Sequence, residues 1–256
     1  DLPQMSIRAL CCTISDLGNG RWRMYFESRG ADRPHVICSA VSTDMLTWKL
    51  EEGIRLEAFG GLGGPRYLQL PDGRGRLYCC AAVLGSNGKS QKHVVSAVTI
   101  DGVNFEMEPG FCITPQDVGP SSTGMTAAEV IPPKKTCDRW TMFLSPWFAP
   151  TPGSGPYPKP QLNADAQADE FVRTSVSGDI SGFRSRILVA YSDDGSSFET
   201  GGCAIEGGGY DSEEIDAIHA EDMSLIEINP GRYRMYYACC DRYGNWRIAS
   251  AVSETD

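Results

Sequence analysis

Three acids sit where the sequence could support carboxylate chemistry. Glu129 lies in the apolar run "TAAEVI", where burial would desolvate its carboxyl and raise its pKa, as a general acid requires. Glu221 and Asp222 follow His219 in "IHAED" and could supply the ionised partner, so that one group gives a proton while the other takes one or stabilises positive charge. Plainer roles fit the same residues. Glu129 could be a structural carboxylate receiving backbone amides, and His219 could orient an acid, bind a metal or cap a turn. With no compact oxygen-rich loop to hold a hard cation, neither a metal nor a cofactor is expected. The acidic run "DSEEID", Asp211 to Asp216, reads as a solvated loop before that strand.

The elements that must position these acids repeat along the chain. "AVSTDMLTW" from Ala40 returns as "AVTIDGVNF" from Ala97, "AYSDDGSSF" from Ala190 and "AVSETD" from Ala251. Ser42, Asp44 and Trp48 share their spacing with Thr99, Asp101 and Phe105, and with Ser192, Asp194 and Phe198. A hydroxyl, a carboxylate and an aromatic at that spacing make a self-capped hairpin tip, which is scaffold. Upstream of each copy stands an alternating segment: "GRWRMYF", "GRGRLYC", "DRWTMFL" and "GRYRMYY". Period-two alternation with aromatics is a strand signature, and the apolar segments before these read as more deeply buried strands. Charged stretches after the turns, such as "KLEEGIRLE", supply an outer strand. Four-stranded units recurring about every fifty to sixty residues predict an all-β propeller. A five-bladed ring suits the length best, with four modules recognisable and inner strands starting near Ser6, Gly64, Thr126 and Ala220.

Composition bounds the function. The 256 residues are 41% hydrophobic, and no apolar run approaches the eighteen or so residues a membrane helix needs, so residues 1–256 read as a single domain with no membrane partner. A net charge of −10 argues against nucleic acid, whose phosphates need a basic face, and leaves a small-molecule or glycan ligand. Ten cysteines include three adjacent pairs inside strand-like segments, Cys11–Cys12, Cys79–Cys80 and Cys239–Cys240, and no CxxC spacing. Neighbouring strand residues face opposite ways, so these read as buried thiols in a cytoplasmic protein, secretion being the alternative if a leader preceded the chain. His35 and His93 stand just before third strands and are expected to be exposed.

One region breaks the repeat. From Leu144 to about Arg186 an insertion opens with "SPWFAPTPGSGPYPKP" and runs into "QLNADAQADE". Its proline and glycine prevent blade packing, and it reads as a lid whose Trp147, Phe148 and Tyr157 face the pore, or as a surface loop.

The "SAVSTDMLTW" phrase with its preceding "DGRGRLYCC" or "GRYRMYY" strand resembles the blade signature of the five-bladed propeller glycoside hydrolases, families 32, 43 and 130 among them. The resemblance covers most of the chain outside the insertion. It implies catalytic carboxylates at the pore end of the innermost strands, one acid and one base or nucleophile across the scissile bond. Of the four inner-strand starts, only those with Glu129 and with Glu221 and Asp222 carry acids. Where the family places aspartates in its first two blades, this chain has Arg8 and Gly64-Pro65-Arg66, so the usual triad is not matched and the two arginines become candidate substrate contacts. Two functions follow: a glycosidase with Glu129 as acid, Glu221 or Asp222 as partner and His219, Arg8, Arg66 and the insertion aromatics at the substrate, or a non-hydrolytic propeller that binds or rearranges a non-sugar molecule by acid–base chemistry under a lid.

Overall fold

A computed structural model describes residues 7–31, 33–85, 88, 90–134, 137–148 and 183–253. They form four antiparallel sheets and one short helix, α1 (Pro115–Val118), in a propeller. The first sheet is β1 (Arg8–Gly18), β2 (Arg21–Arg29), β3 (Val36–Ser42) and β4 (Lys49–Leu50). The second is β5 (Leu62–Gln69), β6 (Gly75–Leu84), β7 (Ser90–Thr99) and β8 (Glu106–Met107). The third joins β9 (Ser122–Ile131), β10 (Trp140–Phe148), β11 (Arg184–Ser185), β12 (Ile187–Ser192) and β13 (Glu199–Ile205). The fourth holds β14 (His219–Asn229), β15 (Arg232–Cys240) and β16 (Trp246–Val252). First strands pack on one another in the order β1, β5, β9, β14, which makes them the inner strands that the repeats predict.

Three core clusters lie between neighbouring sheets, and a fourth, around Phe26, Val36 and Cys38, belongs to the first sheet alone. Tyr25, Leu62, Leu77 and Cys79 fill the space between the first and second, Tyr78, Cys80, Met142 and Leu144 that between the second and third, and Ala127, Ile187, Met235 and Cys239 that between the third and fourth. Cys79 and Cys80 thus serve opposite faces, as strand alternation requires. Cys11 and Cys12 depart from that expectation and are exposed, because β1 is bulged there and Cys11 takes a left-handed φ of 47°. His93 is also a correction, being buried inside β7.

The repeated phrases turn out to be a clasp between sheets. Asp44, Asp101 and Asp194 sit in the turns between third and fourth strands and accept amides two and three residues on, at 2.7 to 3.2 Å. Those amides pull all three carboxyls down, Asp44 to about 2. The alternating strand of one sheet then grips the turn of the next. Tyr25 donates its hydroxyl to the Gly102 carbonyl at 2.8 Å, and Arg23 reaches the Asp101 carbonyl. Tyr78 and Arg76 repeat this on Gly195 and Asp194, the hydroxyl at 2.7 Å. Both arginines also pair with a carboxylate of their own sheet, Glu51 and Glu108. A side chain at Gly102 would collide with Arg23 and Tyr25, so the gripped turns carry glycine at a left-handed position, φ 72° and 75°. The first sheet's turn has Met45 at φ 59° in that place, and it is exposed. Tyr236, the fourth sheet's equivalent of Tyr25, is 40% exposed on the face it shares with Ile226 and Ile248.

The insertion is shorter than the sequence implies. Leu144–Phe148 completes β10, and Trp147 and Phe148 pair with Ser185 and Arg184 of β11. Tyr157 and the rest of the expected lid fall on 149–182, outside the described residues. The acidic run is a loop, but it ties down the fourth sheet: Asp216 accepts the Tyr237 hydroxyl at 2.9 Å and Glu213 pairs with Arg242 at 3.0 Å.

Candidate active site at the propeller axis

The inner strands share a defect that makes the site. Register shifts fall at Leu10/Thr13 in β1, Gly63/Arg66 in β5, opposite Leu144/Pro146 in β9, and Glu221/Ser224 in β14. Three of these bulges hold a left-handed residue, namely Cys11, Gly64 and Asp222 at φ 47°, 57° and 51°. A bulge re-aims a side chain that the regular pleat would bury. At Cys11 and Asp222 the strain falls on non-glycine residues.

Arg66 connects the four inner strands. From β5 its Nε lies 3.0 Å from Glu129 Oε2 on β9, its Nη1 donates to the Cys12 carbonyl on β1 at 3.4 Å, and its Nη2 to the Met223 carbonyl on β14 at 3.2 Å. Its side chain is only 15% exposed. Arg66, a substrate contact in the sequence reading, is thus engaged by protein partners.

Burial raises the carboxyl pKa of Glu129, and the Arg66 guanidinium opposes it. Asp222 is open to water on one side, yet the surrounding protein desolvates it and raises its pKa; Arg66 and Lys92 pull it down and Glu27 pushes it up. Its amide is anchored on Ser145 Oγ at 3.2 Å. Cys11 belongs to the same group: burial, then Asp222 and Glu27, push its thiol up to about 11. Glu27 itself, buried on β2, accepts the Gly64 amide at 3.2 Å and pairs with His35 at 2.5 Å. It fixes the bulge from which Arg66 projects.

The remaining sequence candidates divide. Glu221 is 6% exposed, one residue before the bulge residue Asp222. His219 is 0% exposed, stacked on Trp246 at a ring separation of 5.3 Å and tilted against Trp147 at 5.2 Å, with Nδ1 at 2.9 Å from Ser185 Oγ. Phe148 belongs to the core with Arg186 over its ring at 4.1 Å. Trp147 is half-buried at the edge of a cavity. Arg8 begins β1 opposite Arg29, at the same end of the axis. Glu27, Lys92 and Cys11 were missed. A lone acid between Phe26 and Ser28 in an otherwise buried strand end was the available signal for Glu27.

No group of three or more metal-ligating side chains occurs among the described residues, and no helix there is long and apolar enough to cross a membrane. No protein-family profile and no curated protein matches the sequence. Solved structures do match. A glycoside hydrolase superposes with a TM-score of 0.61 at 14% identity, covering 94% of this chain and 65% of its own. The fold is that of the propeller glycoside hydrolases. Within this group, the Bombyx mori GH32 β-fructofuranosidase matches at TM-score 0.60 and 14% identity over 97% of this chain and 46% of that one. The Listeria innocua β-1,2-mannobiose phosphorylase matches at 0.62 and 13% over 95% and 71%. The chain thus spans between about half and three quarters of these propeller enzymes. At such identities the likeness establishes the fold, and any activity has to be argued from the site.

Proposed function

We propose that the chain is the propeller of a carbohydrate-active enzyme that breaks a glycosidic bond by carboxylate chemistry at the axis, on a glycan ligand. The observation that carries this reading is Arg66, which ties Glu129 to the strand segment bearing Asp222 and so gathers two desolvated carboxyl groups around one guanidinium. Glycosidic cleavage needs such a pair, one protonated toward the leaving oxygen and one ionised. Glu129, in contact with a guanidinium, is the ionised member. Asp222 is desolvated like Glu129 but feels Arg66 only through space, and on that difference it is the acid. This reverses the roles expected from the sequence, because burial was foreseeable for Glu129 but its arginine partner on another sheet was not. Glu221 takes no part in the chemistry. Fold neighbours support the same reading: a fructofuranosidase, a mannobiose phosphorylase and a deacetylase in complex with a blood group trisaccharide.

The test is turnover on a panel of aryl glycosides and glycans, in water and in phosphate buffer. Asp222→Asn and Glu129→Gln should each lower it by about two to four decades with binding largely kept. Full activity in both variants would remove the assignment.

A further inference from the structure

A cavity of about 290 Å³ lies between the second and third sheets. Ser90 and Lys92 of β7, Thr123, Met125 and Thr126 of β9 and Trp147 of β10 line it. It has room for one group of monosaccharide size, near the lower limit of small-molecule sites. Its wall is shared with the axis. Thr126 Oγ1 donates to the Ser145 carbonyl at 3.3 Å, and the Ser145 hydroxyl holds the amide of Asp222.

The charge of this cavity is uncommon for a sugar site. Among the described residues no carboxylate lines it, and its charged group is the ammonium of Lys92, an exposed residue. Arg66, the other cation acting on Asp222, is already committed to Glu129 and to carbonyls of three strands' residues, Cys12, Pro65 and Met223. The Lys92 charge lowers both the Asp222 carboxyl and the Cys11 thiol. Neutral sugars are commonly held by hydroxyl pairs on carboxylates and amides; an ammonium flanked by hydroxyls and an aromatic edge is complementary to an oxyanion.

We propose that this cavity is a subsite for an oxyanion carried by the substrate, a carboxylate or a phosphate on a sugar, with Lys92 as its counter-charge and the Ser90 hydroxyl as a second donor. The assignment rests on the carbohydrate reading above and narrows the substrate class to acidic sugars.

Ligand-observed NMR titrations of the full chain with glucuronate, glucose 6-phosphate, glucose and inorganic phosphate, repeated on Lys92→Met, test it. Glucuronate or glucose 6-phosphate should bind at least tenfold more tightly than glucose and lose that advantage in the variant; whichever acid prevails identifies the oxyanion. Phosphate binding that depends on Lys92, with no sugar bound, would support the anion subsite and remove the carbohydrate reading. Glucose binding equal to glucuronate and indifferent to Lys92→Met would overturn the subsite while leaving the carbohydrate reading intact. Binding of none of the four would also overturn it.

Discussion

Arg66 Nε stands 3.0 Å from Glu129 Oε2 across the boundary between the second and third sheets. The same guanidinium reaches backbone carbonyls on the first and fourth, so one side chain ties all four inner strands at the axis. A charge in that position costs desolvation, and its partners offset the cost only while every one is present.

Arg66→Met should therefore destabilise the domain by about 3 kcal/mol, since it leaves Glu129 buried without a counter-charge. Arg66→Lys should recover little of this, because an ammonium cannot serve three strands from one fork. Urea unfolding at neutral pH reads both.

Stability should also depend on Asp222 and Glu129 through pH. Their folded pKa values lie above the ordinary 3.8 and 4.5, so the native state holds protons that the unfolded chain releases. Where the native state binds more protons, stability falls as pH rises. These two groups should thus add stability as pH drops from neutral through their raised values toward the ordinary ones. Asp222→Asn should flatten that part of the profile; an unchanged slope would show that the carboxyl is not desolvated.

The clasp predicts a contrast among three tyrosines. Tyr25→Phe and Tyr78→Phe each remove a buried hydroxyl bond to a neighbouring sheet and should cost about 1 kcal/mol or more. Tyr236→Phe, at the equivalent place on an exposed face, should fall within about 0.5 kcal/mol of wild type. Thermal and urea unfolding of the three variants makes the comparison.

The repeated turns, their aspartates and the four inner strands were legible because hairpin chemistry and period-two alternation are local. Glu129 and Asp222 were legible as acids within inner-strand segments, although β9 starts at Ser122 and leaves Glu129 near its end. The partners were not. Arg66 finds Glu129 and Met223 across sheets, at separations no spacing in the chain reveals. Glu221 and Asp222 are adjacent in sequence, and only the bulge with φ 51° decides which faces the axis. His219 read as a site residue because "IHAED" falls at the pore end of an inner strand, whereas its contacts with Trp147 and Trp246, from two other strands, were not legible.

Cys11 offers a probe of the same geometry. With its thiol pushed up to about 11, it should react slowly with maleimide at pH 8 although it is exposed. Because Asp222 contributes to that shift, Asp222→Asn should speed the labelling. Equal rates in both proteins would place the two residues out of electrostatic reach.

The central claim is that Asp222 supplies the proton and Glu129 works ionised. The pH profile of kcat/KM on a cleaved glycan, measured for wild type and for Asp222→Asn, tests it most directly. Wild type should give a bell, the acidic limb set by Glu129 and the basic limb by Asp222. The variant should lose about two to four decades of kcat/KM together with the basic limb. A variant that keeps wild-type activity with both limbs in place would contradict the assignment.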